Sequence, residues 1–338
     1  MVPVSSVETD QVWLQVNDAG AVGAVRRSAT SLGTAVGLPE QRVADLAIVA
    51  TELASNLYKH ADDGAMLVQV VRHADQAGVE LVATDKGPGL ADLRRSGEDG
   101  HSTAGTLGIG LGAITRLSST YDGYSRPERG TVLAASMWPG PAPALLPARG
   151  ISRPMSGEDV TGDGYGIRTI GSDRLQLMLC DGLGHGPLAA LAARAAEAAF
   201  RDAPEAGPKI LIEHIHRALH HTRGAVVTVV EVDPAAATVR FAGLGNISGS
   251  VVDGDSRRMM SVQPGIAGHQ RPQVRELELP CPPGALIILH SDGVTDRWNL
   301  ADYPGLGSRD PIVVAATILR DASVRRDDAA VLVATRTA

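Results

Sequence analysis

At 338 residues the chain is long enough for two ordinary domains and too long for one typical core. Its 44% hydrophobic and 20% charged residues fit a folded protein rather than a disordered one. A net charge of −7 argues against nonspecific binding to nucleic acid, so none is expected as a partner.

In chain order, Ala21 to Val36 and Glu40 to His60 read as helices, the second with Val43, Leu46, Ala47, Ala50, Leu53, Ala54 and Leu57 on one face. Met66 to Arg72 and Val79 to Thr84 read as strands. A glycine-rich loop, a helix near Leu111 to Ser119 and a strand from Thr131 to Met137 come next. The segment WPGPAPALLPARG then carries four prolines, which interrupt helix and central strand alike and mark a joint. Beyond it, strands are expected at Gly166 to Ile170, Arg174 to Cys180, Val226 to Val232, Thr238 to Ala242, Val274 to Leu279, Ala285 to His290 and Ala330 to Ala334. Helices fit Leu188 to Arg201, Lys209 to Thr222 and Pro311 to Arg320. The expectation is an α/β (α+β) chain of two domains, 1–138 and 151–338, joined by a proline-rich linker at 139–150.

Glu52 and Asn56 stand one helical turn apart, and Lys59 and His60 continue that polar stripe. A solvated helix face would show the same spacing, so the weight rests on two glycine-rich segments further along the chain. DKGPGL, Asp85 to Leu90, comes at a strand end, where an acid followed by glycines can reach a ligand edge through a tight turn. GTLGIGLG, Gly105 to Gly112, then opens a helix whose free N–H groups and dipole favour phosphate. It is no P-loop, because the chain contains no Gly-Lys dipeptide.

In this order the motifs resemble the GHKL (histidine-kinase-like) ATPase family, in its short anti-sigma-factor kinase branch, over about residues 10 to 138. The resemblance implies a GHKL α/β sandwich that binds ATP with Mg²⁺. TELASNLYKHA would be its N box, with Asn56 holding the ion and Glu52, as the catalytic residue, orienting water or a substrate hydroxyl. Asp85 would accept from the adenine amino group, beside Gly87 and Gly89. Gly108, Gly110 and Gly112 would let backbone approach the phosphates, with Thr131 near the adenine. No phosphoacceptor helix pair precedes the module, so a histidine kinase is not expected. Whether the module hydrolyses ATP, phosphorylates a protein or only binds nucleotide stays open.

In the second half, four aspartates fall at strand tips or beside them. Asp163 lies in TGDG, before a strand, and Asp181 ends the apolar run LQLMLC and begins DGLGHG. Asp292 follows ALIILHS and begins DGVTD, and Asp327 lies in RRDDAAVLVA just before the last strand. A single Asp-Gly pair is an ordinary turn. Four acids gathered at one end of a sheet make a hard-oxygen cage suited to Mg²⁺ or Mn²⁺ rather than zinc. Two such cations sharing a carboxylate can activate water near neutral pH and neutralise a departing phosphate.

The pattern resembles the PPM-type metal-dependent protein phosphatases of the SpoIIE/RsbX-like branch, from about Gly157 to Thr335. That implies a β-sandwich flanked by helices and two Mn²⁺ or Mg²⁺ ions, with Asp181 and Asp292 as catalytic ligands. Asp181 would bridge the ions, the Gly182 carbonyl would add a ligand, and Asp163 would complete one side, with Asp292 and Asp327 on the other. Asp327 is preferred to Asp328 because the first acid of the pair matches the family. Where many members have Gly-Gly-Asp, this chain has Thr161-Gly162-Asp163. The helix from Gly186 to Phe200 would couple activity to partner binding. The substrate implied is a phosphoserine or phosphothreonine on a small regulatory partner, a STAS-domain anti-sigma antagonist.

His185 reads as a loop residue. His216 and His220 share a helix face at metal-ligand spacing but lack H-E-x-x-H, and with Arg194 and Arg201 they read as solvated surface. Cys180 and Cys281 form no C-x-x-C pair, which suits a reducing compartment. The first residues lack a signal-peptide pattern and no run reaches the roughly 18 apolar residues of a membrane span, so a cytoplasmic protein without membrane contact is expected.

Overall fold

The computed structural model describes residues 11–73, 76–90, 93, 107–143, 148–171, 174–269, 273–324 and 326–336. Contacts within the chain separate two units, Met1–Leu146 and Pro147–Ala338.

In the first unit, Asp18 caps helix α1 (Ala19–Ala35) by accepting from the Ala21 N–H at 2.8 Å. Helix α2 (Glu40–His60) buries Leu46, Ala47, Ala50, Leu53, Ala54 and Leu57 of the predicted stripe together with Val49, and leaves Val43 half-buried. Helices α1 and α2 approach closely at Gly33, where a Cβ would come 3.0 Å from the Leu46 side chain. Strands β1 (Gln11–Gln15), β2 (Ala65–His73), β3 (Gln76–Thr84), β4 (Thr120–Arg126) and β5 (Gly130–Met137) form one antiparallel sheet in the order β1-β2-β3-β5-β4. Met66, Val68, Val79, Leu81 and Ala83 meet the helices in the core. Helix α3 (Leu107–Leu117) begins four residues before the expected Leu111. Gly105 lies outside the described residues.

The second unit pairs two five-stranded sheets. One runs β13-β10-β9-β8-β7, from β7 (Asp163–Ile170), β8 (Arg174–Gly182), β9 (Ala225–Asp233), β10 (Thr238–Leu244) and β13 (Leu277–Pro280). The other runs β12-β11-β14-β15-β6, from β6 (Ala148–Arg153), β11 (Ser248–Asp253), β12 (Ser256–Met260), β14 (Leu286–His290) and β15 (Ala329–Thr335). Strand β8 shows why this is a sandwich with helices outside. Its odd residues Leu175, Leu177 and Leu179 pack into the inter-sheet core with Val230, Phe241, Ile287 and Leu332. Its even residues Met178 and Cys180 face the alanine-rich helix α4 (Pro187–Asp202) and helix α5 (Pro208–Ala218). Helix α6 (Pro311–Ala322) buries Ile312 to Leu319 and contacts β15 and β6.

Two expectations change. Ala148–Gly150 fall within the expected linker but are already strand, because β6 pairs with β15 from Ala148 opposite Ala334. His216 is not on a solvated face: it is buried and its Nδ1 accepts from the Gly268 N–H at 3.1 Å. The exposed His220 pairs through Nδ1 with the Gly268 carbonyl at 3.0 Å, so the two histidines brace one turn instead of holding a metal.

Leu177 is fully buried between the sheets. Leu177→Ala is expected to cost roughly 2–5 kcal/mol, read as a lowered urea midpoint at unchanged slope.

Candidate functional site

The acidic end of the sandwich is built by strand parity. Asp163 is the first residue of β7 and stands directly opposite Asp181 on β8. Asp181 continues the odd series of Leu175, Leu177 and Leu179, so both carboxylates lie on the face turned toward the second sheet. Asp163 is only 3% exposed, and its Oδ2 accepts from the Ser291 hydroxyl at 2.5 Å. That hydroxyl accepts in turn from the Ala330 N–H at 2.9 Å, and the Ser291 N–H donates to the Ala330 carbonyl at 3.1 Å. Ser291 therefore ties the ends of β14 and β15 to the first strand of the other sheet.

Asp292 comes next, exposed, its Oδ2 accepting from the Asn246 amide at 2.8 Å. Gly293 must be glycine, since a Cβ there would fall 1.8 Å from the Asp328 carbonyl. Asp327 is exposed and accepts from the Asp328 N–H at 3.0 Å. Asp328 is buried, with its carboxylate oxygens taken by the N–H groups of Met155 at 2.7 Å and Gly162 at 2.8 Å. Of the two neighbours, Asp328 is a backbone clamp and Asp327 faces outward.

Helix α4 lies hard against this end. A Cβ on Gly182 would come 2.3 Å from the Ala189 carbonyl, and one on Gly162 would come 2.7 Å from the Ala189 Cβ. His185, in the loop before α4, meets the Glu158 carboxylate through Nδ1 at 2.9 Å.

Crowded acids with little water raise one another's pKa. Asp163 is held well above the usual carboxylate range by burial and then by the Asp181 charge, against the lowering effect of the Ser291 hydrogen bond. Asp181 is pushed up to about 7 by burial and by the charges of Asp292, Asp327 and Asp328. Asp327 is raised as well, by partial burial and then by Asp292.

The donor set suits a hard divalent cation: all carboxylate oxygen, with the buried Oδ1 of Asp163 left without a partner. Among the described residues no three His, Cys, Asp or Glu side chains are gathered tightly enough to hold a cation alone. Backbone carbonyl and water must complete any coordination, as is usual for Mg²⁺.

In the first unit, the strand end after β3 brings Asp85 and Thr131 together, the Asp85 N–H donating to the Thr131 carbonyl at 3.0 Å. Asp85 Oδ1 accepts from the Gly87 N–H at 2.8 Å, forming a tight turn. Thr131 Oγ1 shares a 2.8 Å hydrogen bond with Ser125 Oγ, which accepts from the Leu90 N–H at 2.7 Å. Gly89 has a φ of +65°, and a Cβ on it would strike the Arg126 carbonyl at 2.0 Å. On α2, Glu52 and Asn56 are half-buried, and neither side chain has a hydrogen-bond partner among the described residues. Gly110 lies against Glu52, since a Cβ there would come 2.6 Å from Oε2. The early start of α3 puts Gly108 at its N-terminus, where N–H groups lack intrahelical acceptors, with Gly110 next on the same turn. Gly112 follows one half-turn further along the same helix.

Histidine kinase-like ATPase domains match residues 16–137, and Stage II sporulation protein E (SpoIIE) matches residues 171–337. Serine/threonine-protein kinase RsbT of Bacillus subtilis (strain 168) is 30% identical over 129 residues, covering 38% of this chain and 97% of that protein. The chain carries a histidine kinase-like ATPase domain over residues 16–137 and a SpoIIE domain over residues 171–337. A solved structure titled "The bacterial stressosome: a modular system that has been adapted to control secondary messenger signaling" is 30% identical, with a TM-score of 0.52. It covers 56% of this chain and 100% of that one. A structure of RsbX in complex with magnesium is 16% identical with a TM-score of 0.48, over 56% of this chain and 94% of that one.

Sequence reasoning misses Ser291, Asn246 and the clamp role of Asp328 in the SpoIIE unit. Ser291 adjoins Asp292 and is within reach of a motif reading. Asn246 sits in the turn between β10 and β11, and nothing in its spacing from Asp292 announces the contact.

Because the folded pKa of Asp181 lies above its ordinary value, its contribution to metal-free stability is present at low pH and lost as pH rises through about 7. Asp181→Asn is expected to make the metal-free protein more stable than wild type at pH 8, by a few kcal/mol, with little difference near pH 4. Denaturant melts in chelator at the two pH values check this.

Proposed function

We propose that the SpoIIE unit is a metal-dependent protein phosphatase acting on phosphoserine or phosphothreonine of a regulatory partner, a STAS-domain anti-sigma antagonist, in the cytoplasm. The observation that carries this reading is the register pair Asp163–Asp181 facing the second sheet beside Asp292 and Asp327, with a buried Asp163 oxygen lacking a partner. Asp163, Asp181, Asp292, Asp327 and the Gly182 carbonyl would hold two Mn²⁺ or Mg²⁺ ions. Bound there, the ions would lower the pKa of water and neutralise phosphate charge. The chain's own residues fix that arrangement: Ser291 aims Asp163, Asn246 holds Asp292, and Asp328 keeps the 162–163 turn against the last strand. The free, buried Cys180 and Cys281 are compatible with a reducing compartment, and no described helix is long and apolar enough to cross a membrane.

The ATPase unit would bind ATP with Mg²⁺ through Asn56, Asp85, Gly87, Gly89, Gly108, Gly110, Gly112 and Thr131. A second reading makes it a serine kinase for the same partner, with Glu52 orienting the acceptor hydroxyl. It is favoured by the match to nearly the whole length of a protein kinase and by the unpartnered Glu52 against Gly110.

Paired assays against STAS-domain proteins separate these. Mn²⁺-dependent hydrolysis of the phosphoserine form is expected to survive Asn56→Ala and to fall at least about 100-fold in Asp181→Asn. Phosphate transfer from ATP to the unmodified partner, lost in Glu52→Ala, would establish the kinase activity. No hydrolysis of any phosphoprotein with either metal would leave the SpoIIE unit as a binding scaffold.

A further inference from the structure

Arg223 lies between α5 and β9, at the rim of the acidic end, in a turn that carries none of the sequence motifs. Three backbone contacts fix that turn. The Arg223 carbonyl accepts from His269 Nε2 at 2.7 Å, the Gly224 carbonyl accepts from the Leu183 N–H at 3.0 Å, and Thr222 Oγ1 accepts from the Gly224 N–H at 3.0 Å. The Leu183 contact joins it to the loop that leaves Asp181. Gly224 has a φ of +80°, and a Cβ there would meet the Ala267 carbonyl at 2.6 Å, so the turn has one tight path.

From this base the Arg223 side chain reaches over the DGLG loop. Its Nη1 lies 3.1 Å from where a Cβ on Gly184 would stand. Although Asp181, Asp292 and Asp327 belong to the same end of the unit, the exposed guanidinium has no ion pair or hydrogen bond among the described residues. Several other arginines of the unit are engaged, Arg168 with helix-end carbonyls, Arg174 and Arg240 with Glu231, Arg257 with Asp296, and Arg336 with Cys281 and Pro234, while Arg194, Arg258 and Arg297 are, like Arg223, without an ion pair among the described residues. An exposed arginine that lies over the loop leaving Asp181, its guanidinium with no partner among the described residues, keeps its planar fork of donors free. That fork matches two oxygens of a phosphate.

We propose that Arg223 binds the phosphate oxygens of the phosphoserine or phosphothreonine substrate at the mouth of the acidic site. The inference rests on the phosphatase reading and deepens it by naming a substrate-binding residue outside the acidic cluster. A contact made equally with substrate and transition state, once removed, raises KM and leaves kcat unchanged.

The test uses the full chain loaded with Mn²⁺, a phosphoserine peptide as substrate, and inorganic phosphate as competitive inhibitor and thermal-shift ligand. Arg223→Ala is expected to raise both the peptide KM and the phosphate inhibition constant by about tenfold, with kcat within about twofold and the Mn²⁺ titration midpoint unchanged. Arg223→Lys, which keeps charge without the fork, should recover part of the loss. An unchanged phosphate inhibition constant in Arg223→Ala overturns the proposal. A rise in peptide KM alone also overturns it, because it would set Arg223 against an acidic side chain of the partner instead. If wild type hydrolyses no phosphopeptide, the phosphatase reading fails, and the phosphate-induced thermal shift then decides on Arg223. A shift lost in Arg223→Ala supports it, and an equal shift in both proteins sinks it.

Discussion

The hydrogen bond from Ser291 to Asp163 is the contact on which the arrangement of the second unit's acidic end depends. The two sheets of a sandwich are held together mainly by non-directional apolar packing, which sets their spacing but not the position of individual atoms at their ends. Here one hydroxyl donates to the acid that begins β7 and accepts from the N–H at the start of β15. It converts a soft inter-sheet interface into a defined distance between acids on opposite sheets. Asp328 does the same from the other side, receiving N–H groups from Met155 and Gly162.

Glycines supply the complementary constraint. At Gly182, Gly162 and Gly293 the space a side chain would need is filled by neighbouring atoms, two of the three contacts being with backbone carbonyls. Each of these glycines adjoins an aspartate, so the Asp-Gly pattern is a packing requirement here as well as a turn signal. Close approach brings helix α4 and the last two strands within a few ångströms of the acids without any intervening side chain.

Much of this is legible in the chain. Helix α2 can be bounded correctly because its apolar positions repeat at helical spacing, and β8 can be located because LQLMLC buries both faces, although the strand runs two residues past the expected Cys180, to Gly182. The order of the four aspartates points to one cluster, since each falls at or beside a strand tip. Strand β4, TYDGYSR, is invisible because it has no apolar run and owes its extended form to pairing with β5. β12 is invisible for the same reason, being an exposed edge strand paired only with β11. His216 reads as surface because its burial comes from the Gly268 turn, far away in sequence. Asn246 and Arg223 are beyond reach for the same kind of reason. Their significance lies in which loop they touch, and loop-to-loop contacts leave no period in the sequence.

The buried, partnerless oxygen of Asp163 has an evolutionary side. A fold under selection for stability alone sheds unpaired buried acids quickly, because many neutral substitutions at such positions improve it. A descendant of this chain relieved of its chemistry would therefore drift first at Asp163 and Asp181, well before its hydrophobic layers changed.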